Sequence, residues 1–124
     1  MKTPGRYPDL WRSGELSKRV TALTERLRSC DICPRRCGVD RLAGERGFCG
    51  AGAEIAVSSS CVHLGEEPVL VAGRGVGNIF LSGCNLRCVF CQNWQISQMP
   101  IPESDLTTPG RVADTMLRFQ SMGL

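Results

Sequence analysis

The sequence predicts a mixed α/β fold with a cysteine-rich segment set into it. Three observations carry that expectation. One stretch near the N-terminus has an apolar stripe at helical spacing. Short Val/Ile-rich runs alternate with glycine and proline. A short apolar strand runs into a cysteine loop, and a well-signalled helix follows.

The elements follow in order. Met1 to Trp11 is polar, contains Pro4 and Pro8, and lacks the apolar core of a signal peptide. From Ser13 to Ser29, Leu16, Val20, Leu23 and Leu27 recur at i, i+4, i+7 and i+11, one face of a helix. Ser13 is the expected N-cap, and Glu15 suits the first turn. Residues 30–72 form a cysteine-rich segment with short strands. Its first part, to Gly52, has little periodicity and would hold its shape best around a metal. Glu54 to Ser60 and Pro68 to Ala72 read as extended pieces.

Residues 73–124 open with the glycine-rich turn Gly73-Arg74-Gly75-Val76-Gly77. It is no phosphate loop, because it lacks the Lys-Ser/Thr that would follow and precedes a strand. Asn78 to Leu81 is the strand, and it delivers the chain to Cys84. The C-terminal end of a strand is where parallel α/β sheets and barrels place their chemistry. Ser97 to Asp105 is a connector. The last helix has Thr108 as N-cap, Pro109 at its first position, an apolar face of Val112, Met116, Leu117 and Phe119, and Gly123 at its end.

Bulk properties narrow the function. With 42% hydrophobic and 22% charged residues, the 124-residue chain is not disordered. The net charge of +3 is mild, and the cations are scattered or paired with acids, so no nucleic-acid surface is expected. No apolar run reaches the roughly 20 residues of a membrane helix, so a cytoplasmic location is expected. In that reducing setting the eight cysteines read as metal ligands in preference to disulfides.

Cys84, Cys88 and Cys91 make a C-x3-C-x2-C triplet. Thiolates are the soft ligands iron–sulfur clusters require. Three ligands on a four-iron cluster leave one iron open, which suits a reactive site. Zinc or disulfides are the alternatives. Cys30, Cys33, Cys37 and Cys49 form a second group, able to hold zinc or a second iron–sulfur cluster, or simply free thiols in a packed loop. Arg35, Arg36 and Arg41 would favour thiolate there. Cys61 reads as a small buried hydrophobe. His63, beside Glu66 and Glu67, is either structural or an acid/base group.

The triplet, with Phe90 before its third cysteine, resembles the signature of the radical S-adenosylmethionine superfamily. Cys33-Pro34-Arg35-Arg36-Cys37-Gly38, Gly47-Phe48-Cys49-Gly50, His63-Leu64-Gly65-Glu66-Glu67-Pro68 and Phe80 through Asn93 together are similar to its pyruvate formate-lyase activating-enzyme-related branch. The resemblance implies a [4Fe–4S] cluster on Cys84, Cys88 and Cys91, with S-adenosyl-L-methionine on the open iron and Phe90 near its adenine. It implies reductive cleavage of that cofactor to a 5′-deoxyadenosyl radical, an electron donor, and a partner-protein glycine as substrate.

It also implies the N-terminal part of a partial (β/α)6 barrel: first strand, cluster loop and first helix, preceded by a helix and a cysteine-rich segment. Whole barrels need a chain more than twice this length, so an isolated start would leave an open sheet edge and fold poorly or self-associate. The rival reading is a non-catalytic metal-binding module, or a truncated remnant of such an enzyme, in which the N-terminal helix and the four-cysteine segment are the working part.

Overall fold

The computed structural model describes residues 6–71 and 73–124. The chain divides into two compact units, Met1–Gly47 and Phe48–Leu124.

In the first unit, α1 (Tyr7–Arg12) starts with a proline in its first turn, where a missing N–H costs nothing. A second helix, α2 (Glu15–Glu25), runs on into a 3₁₀ turn at Arg26–Ser29. The expected single helix from Ser13 to Ser29 is thus shorter at both ends, and a helix precedes it. Gly14 takes the N-cap position expected for Ser13. Its φ of 72° lets the chain leave one helix and enter the next without a Cβ clash. Ser13 instead closes α1, its hydroxyl donating to the Leu10 carbonyl at 3.1 Å. Leu16 and Leu27 are half-buried, whereas Val20 and Leu23 in the middle of the stripe are exposed.

The cysteine segment of this unit is clasped by its own backbone. Cys30 N–H donates to Val39 O, and Gly38 N–H donates to Cys30 O, both at 3.0 Å. Asp40 and Glu45 close the next turn: Glu45 N–H reaches Asp40 O at 2.9 Å, and the Glu45 carboxylate accepts from Asp40 N–H at 2.7 Å.

The second unit is built on a three-stranded antiparallel sheet of order β2-β1-β3. Its strands are β1 (Ile55–His63), β2 (Val76–Leu81) and β3 (Leu106–Thr107). β1 pairs with β2 from His63↔Val76 to Val57↔Leu81, with a register shift between Val57 and Ser59. Its first two residues pair with β3. The mixed α/β class expected from the sequence is what is observed. The pairing is antiparallel, however, and no parallel pair forms among the described residues.

Four local expectations need correction. Pro68–Val71, expected as a strand with Ala72, is a short helix, α3. Pro68 is pre-set for a first helical position, and Val71 N–H closes the turn onto Glu67 O at 3.2 Å. A four-residue apolar run has no period that separates strand from helix; Ala72 lies outside the described residues. The glycine-rich turn is partly strand, since β2 begins at Val76. A Cβ on Gly77 would stand 2.3 Å from the Phe119 ring, so the missing side chain is what lets that ring lie on the strand. Cys61 is exposed, not buried: it pairs with Asn78, and successive strand residues alternate faces, so it lies on the face opposite the one that Gly77 turns to Phe119. The connector expected from Ser97 to Asp105 ends in a 3₁₀ turn, Glu103–Asp105, and β3 follows it before the last helix.

The last helix, α5 (Pro109–Ser121), agrees with its signals. Thr108 Oγ1 accepts from Arg111 N–H at 3.3 Å. At the other end Leu124 N–H bonds Phe119 O and Gly123 N–H bonds Gln120 O, a Schellman closure with Gly123 at φ 79°. α5 packs on β1 and β2 through Phe119, which is buried, as is Ala56 on β1. Met116 and Leu117 of its expected apolar face are exposed. No large side chain among the described residues is fully buried.

Candidate metal centre

The cysteine loop leaves β2 through two anchored residues. Ser82 N–H continues the ladder to Ala56 O at 2.9 Å. The Ser82 hydroxyl, buried, donates to the Asp105 carboxylate at 2.6 Å. Gly83 N–H then bonds Ile96 O at 2.7 Å, which ties the start of the loop to a short helix, α4 (Trp94–Ser97), at its end. Gly83 has φ 84°, and a Cβ there would lie 2.6 Å from the Cys49 carbonyl oxygen. Only glycine meets both demands.

Cys84, Cys88 and Cys91 are all half-buried and free of disulfides. Cys84 Sγ accepts the Leu86 N–H at 3.4 Å. The Arg87 N–H and then the Leu86 N–H draw the Cys84 thiol below its ordinary pKa; slight desolvation opposes them, and the Arg87 charge adds to them. Arg87 adopts φ 53°, a left-handed conformation costing roughly 1–2 kcal/mol for a residue with a Cβ. Its guanidinium lies over the Phe48 ring, 4.8 Å from the centroid. The Cys88 carbonyl accepts both Cys91 N–H at 3.1 Å and the Gln98 side-chain amide at 2.8 Å. Cys91 Sγ and Ser97 Oγ are 3.2 Å apart.

Each end thiol is therefore turned to a partner of its own. Among the described residues no three His, Cys, Asp or Glu side chains are gathered as a metal-binding group. The donor chemistry nonetheless suits a soft metal: three free thiols on one short loop, with the pKa of the first drawn down by backbone amides. Leu86, Val89 and Phe90 around them are exposed, and Phe90 and Val89 are 86% and 100% accessible.

The second cysteine group is divided. Cys30, buried, Cys33, half-buried, and Cys37, exposed, lie in the first unit, while Cys49 belongs to the second. The Arg41 guanidinium is 3.7 Å from Cys30 Sγ. His63, at the end of β1, stands 3.7 Å from the Glu66 carboxylate, both partly exposed. An open cavity of about 230 Å³ beside α5 is lined by Val57, Ser60, Ile79, Asp105, Arg111 and Thr115 among others, and none of the loop cysteines lines it.

Sequence reasoning missed Ser82, Asp105, Gln98, Ser97, Phe48 and Arg87 as supports of the loop. Ser82 and Arg87 lie inside the motif, but Asp105 and Gln98 act across 23 and 10 residues with no pattern to mark them.

The fold and site define a mixed α/β protein that presents a thiol loop at the end of a strand. No protein-family model matches the chain, and no solved structure matches it. Two uncharacterized proteins of Methanocaldococcus jannaschii are similar to it. One is 50% identical over 72 residues, which is 58% of this chain and 20% of the relative. The other is 32% identical over 112 residues, covering 77% of this chain and 32% of the relative. The chain thus spans about a third or less of these relatives. No helix among the described residues is long and apolar enough to cross a membrane.

Proposed function

We propose that the chain is the cluster-bearing part of a radical S-adenosylmethionine protein, with Cys84, Cys88 and Cys91 holding a [4Fe–4S] cluster and S-adenosyl-L-methionine at the open iron. One observation carries the reading: a C-x3-C-x2-C loop of free thiols leaves the end of a strand, and the Leu86 N–H donates to its first sulfur at 3.4 Å. Such a cluster, when bound, supplies the electron that cleaves the cofactor to a 5′-deoxyadenosyl radical.

The chain's own residues do the rest. Ser82 and Gly83 hold the loop's start, Gln98 holds the Cys88 carbonyl, and Ser97 sits against Cys91. Phe90, exposed beside Cys91, offers an aromatic face for the adenine. The hydrogen atom would come from a glycine of a partner protein, and the electron from a separate donor. The barrel would be completed by polypeptide beyond these two units. The test is anaerobic reconstitution followed by metal analysis and electron paramagnetic resonance. About four irons and four sulfides per chain, and a spectrum altered by S-adenosylmethionine, are expected. Cluster content unchanged in Cys88→Ala would end the reading.

A second reading is favoured by the small core among the described residues. In it the chain is a non-catalytic metal-binding module. Reconstitution yielding zinc alone, or a cluster unresponsive to the cofactor, would support it.

A further inference from the structure

Three consecutive residues grip the thiol loop from beyond its last cysteine. Ile96 O accepts the Gly83 N–H at 2.7 Å, the Ser97 hydroxyl lies 3.2 Å from Cys91 Sγ, and the Gln98 side-chain amide donates to Cys88 O at 2.8 Å. Ser97 is the one of the three that touches a sulfur. Its backbone is set by α4, through Ser97 N–H to Asn93 O at 3.0 Å. The contacts of Ile96 and Gln98 on either side fix where its hydroxyl sits.

That hydroxyl departs from the local habit. A helical serine or threonine commonly turns its hydroxyl back onto a carbonyl three or four residues earlier. Thr21, Thr24, Thr115 and Ser121 all do so in this chain. Ser97 instead reaches a sulfur six residues back. Between a thiol and a hydroxyl either atom can donate. A cysteine that ligates a metal does so as thiolate and has no proton to give. The serine is then the donor.

We propose that Ser97 is the positioning residue of Cys91: its hydroxyl anchors Cys91 Sγ in the loop, and donates a charge-assisted hydrogen bond to that sulfur once it is a ligating thiolate. The second half rests on the cluster reading above; the anchoring contact belongs to the loop itself. A hydrogen bond to a ligating sulfur favours the more negative, reduced state of a cluster and so raises its reduction potential. The Leu86 N–H on Cys84 is a backbone donor, whereas this one is a side chain that a single substitution removes.

The experiment has two arms on the full chain. Without metal, denaturant melts are compared for the native chain, Ser97→Ala, Cys91→Ala and the double variant. Residues in contact are not additive, so the double variant should lose less stability than the two single losses summed. Strict additivity overturns the anchoring contact.

In the second arm, chains reconstituted with iron and sulfide are titrated with reductant. Ser97→Ala should keep the native iron content and shift the potential downward. Ser97→Thr, which retains the hydroxyl, should stay near the native potential. An unchanged potential in Ser97→Ala overturns the proposal. So does an equal shift in Ser97→Ala and Ser97→Thr, which would assign the effect to packing, and so does loss of iron from Ser97→Ala, since a residue that tunes a ligand leaves the ligands in place. Failure of the native chain to form any cluster would sink the cluster reading, and the melts would then decide the anchoring contact.

Discussion

The two cysteine segments share a local design and differ in what supports it. Cys33-Pro34-Arg35-Arg36-Cys37 and Cys84-Asn85-Leu86-Arg87-Cys88 have the same C-x3-C spacing. In each, the arginine before the second cysteine is left-handed, with φ 43° at Arg36 and 53° at Arg87. These are the two non-glycine residues at positive φ among the described residues. Around Arg36 the turn closes onto itself: Arg36 N–H bonds Cys33 O, and Cys30 and Gly38 clasp the ends. Around Arg87 the loop is held from outside, by the strand ladder at Ser82, by Asp105, by Gln98 and by Phe48. A self-closed turn can keep its shape locally. A loop buttressed by these four supports inherits the stability of the fold around it.

The largest effect should separate the segments by metal. On the proposed cluster reading, Cys84→Ala, Cys88→Ala or Cys91→Ala should abolish the roughly four irons expected after reconstitution. Replacing Cys33 and Cys37 should leave those irons in place, removing only whatever zinc or second cluster the first segment holds. Loss of all iron from the Cys33/Cys37 variant would break the division.

Next comes the external buttress. Gly83→Ala forces a Cβ to within 2.6 Å of the Cys49 carbonyl and into a left-handed conformation. It should cost about 1–3 kcal/mol in chemical denaturation, by the magnitude of overpacking and backbone strain. Gly77→Ala, driven into the Phe119 ring, should cost a similar amount and loosen α5 from the sheet. A melt unchanged by either would mean that the strand-end packing is not what holds the loop.

The self-closed turn should respond differently. In Arg36→Gly, relief of left-handed strain (roughly 1–2 kcal/mol) is offset by the greater freedom of the unfolded chain (roughly 0.5–1 kcal/mol). Stability should be nearly unchanged or slightly raised. A clear loss in denaturant melts would show that the Arg36 side chain supports the turn.

The smallest effect is electrostatic. The Arg26 guanidinium donates to Asp31 at 2.7 Å and holds its carboxyl below the ordinary carboxylate range. The folded pKa is the depressed one. The pair's contribution is therefore complete above the unfolded value of about 3.9 and lost as pH falls through the folded value. Both groups are half exposed, so Asp31→Asn should change the melting temperature little at neutral pH. The difference from native should vanish in acid; a gap that widens there would reverse the sign.

Much of this was readable from the chain. The cap and Schellman end of α5 follow from Thr108, Pro109 and Gly123, because caps are satisfied by neighbours in sequence. The thiol triplet and its place after a strand are likewise local. Ser13 misled because a second helix before it changed which residue had to turn the corner. Pro68–Val71 misled because a short apolar run carries no period.

What the sequence by itself determined is the inventory and its spacing: a mixed α/β chain, two cysteine segments, one strand leading into three thiols. Tertiary structure alone decided that the sheet is antiparallel, that Cys61 lies exposed at its far end, and that Cys49 falls in a different unit from Cys30, Cys33 and Cys37. It also decided that Ser82 meets Asp105 and that Arg87 meets Phe48. The reason is range. Caps, turns and ligand spacing depend on residues a few positions apart, whereas strand pairing and the buttressing of the loop depend on residues 10 to 52 positions away, brought together only by the fold.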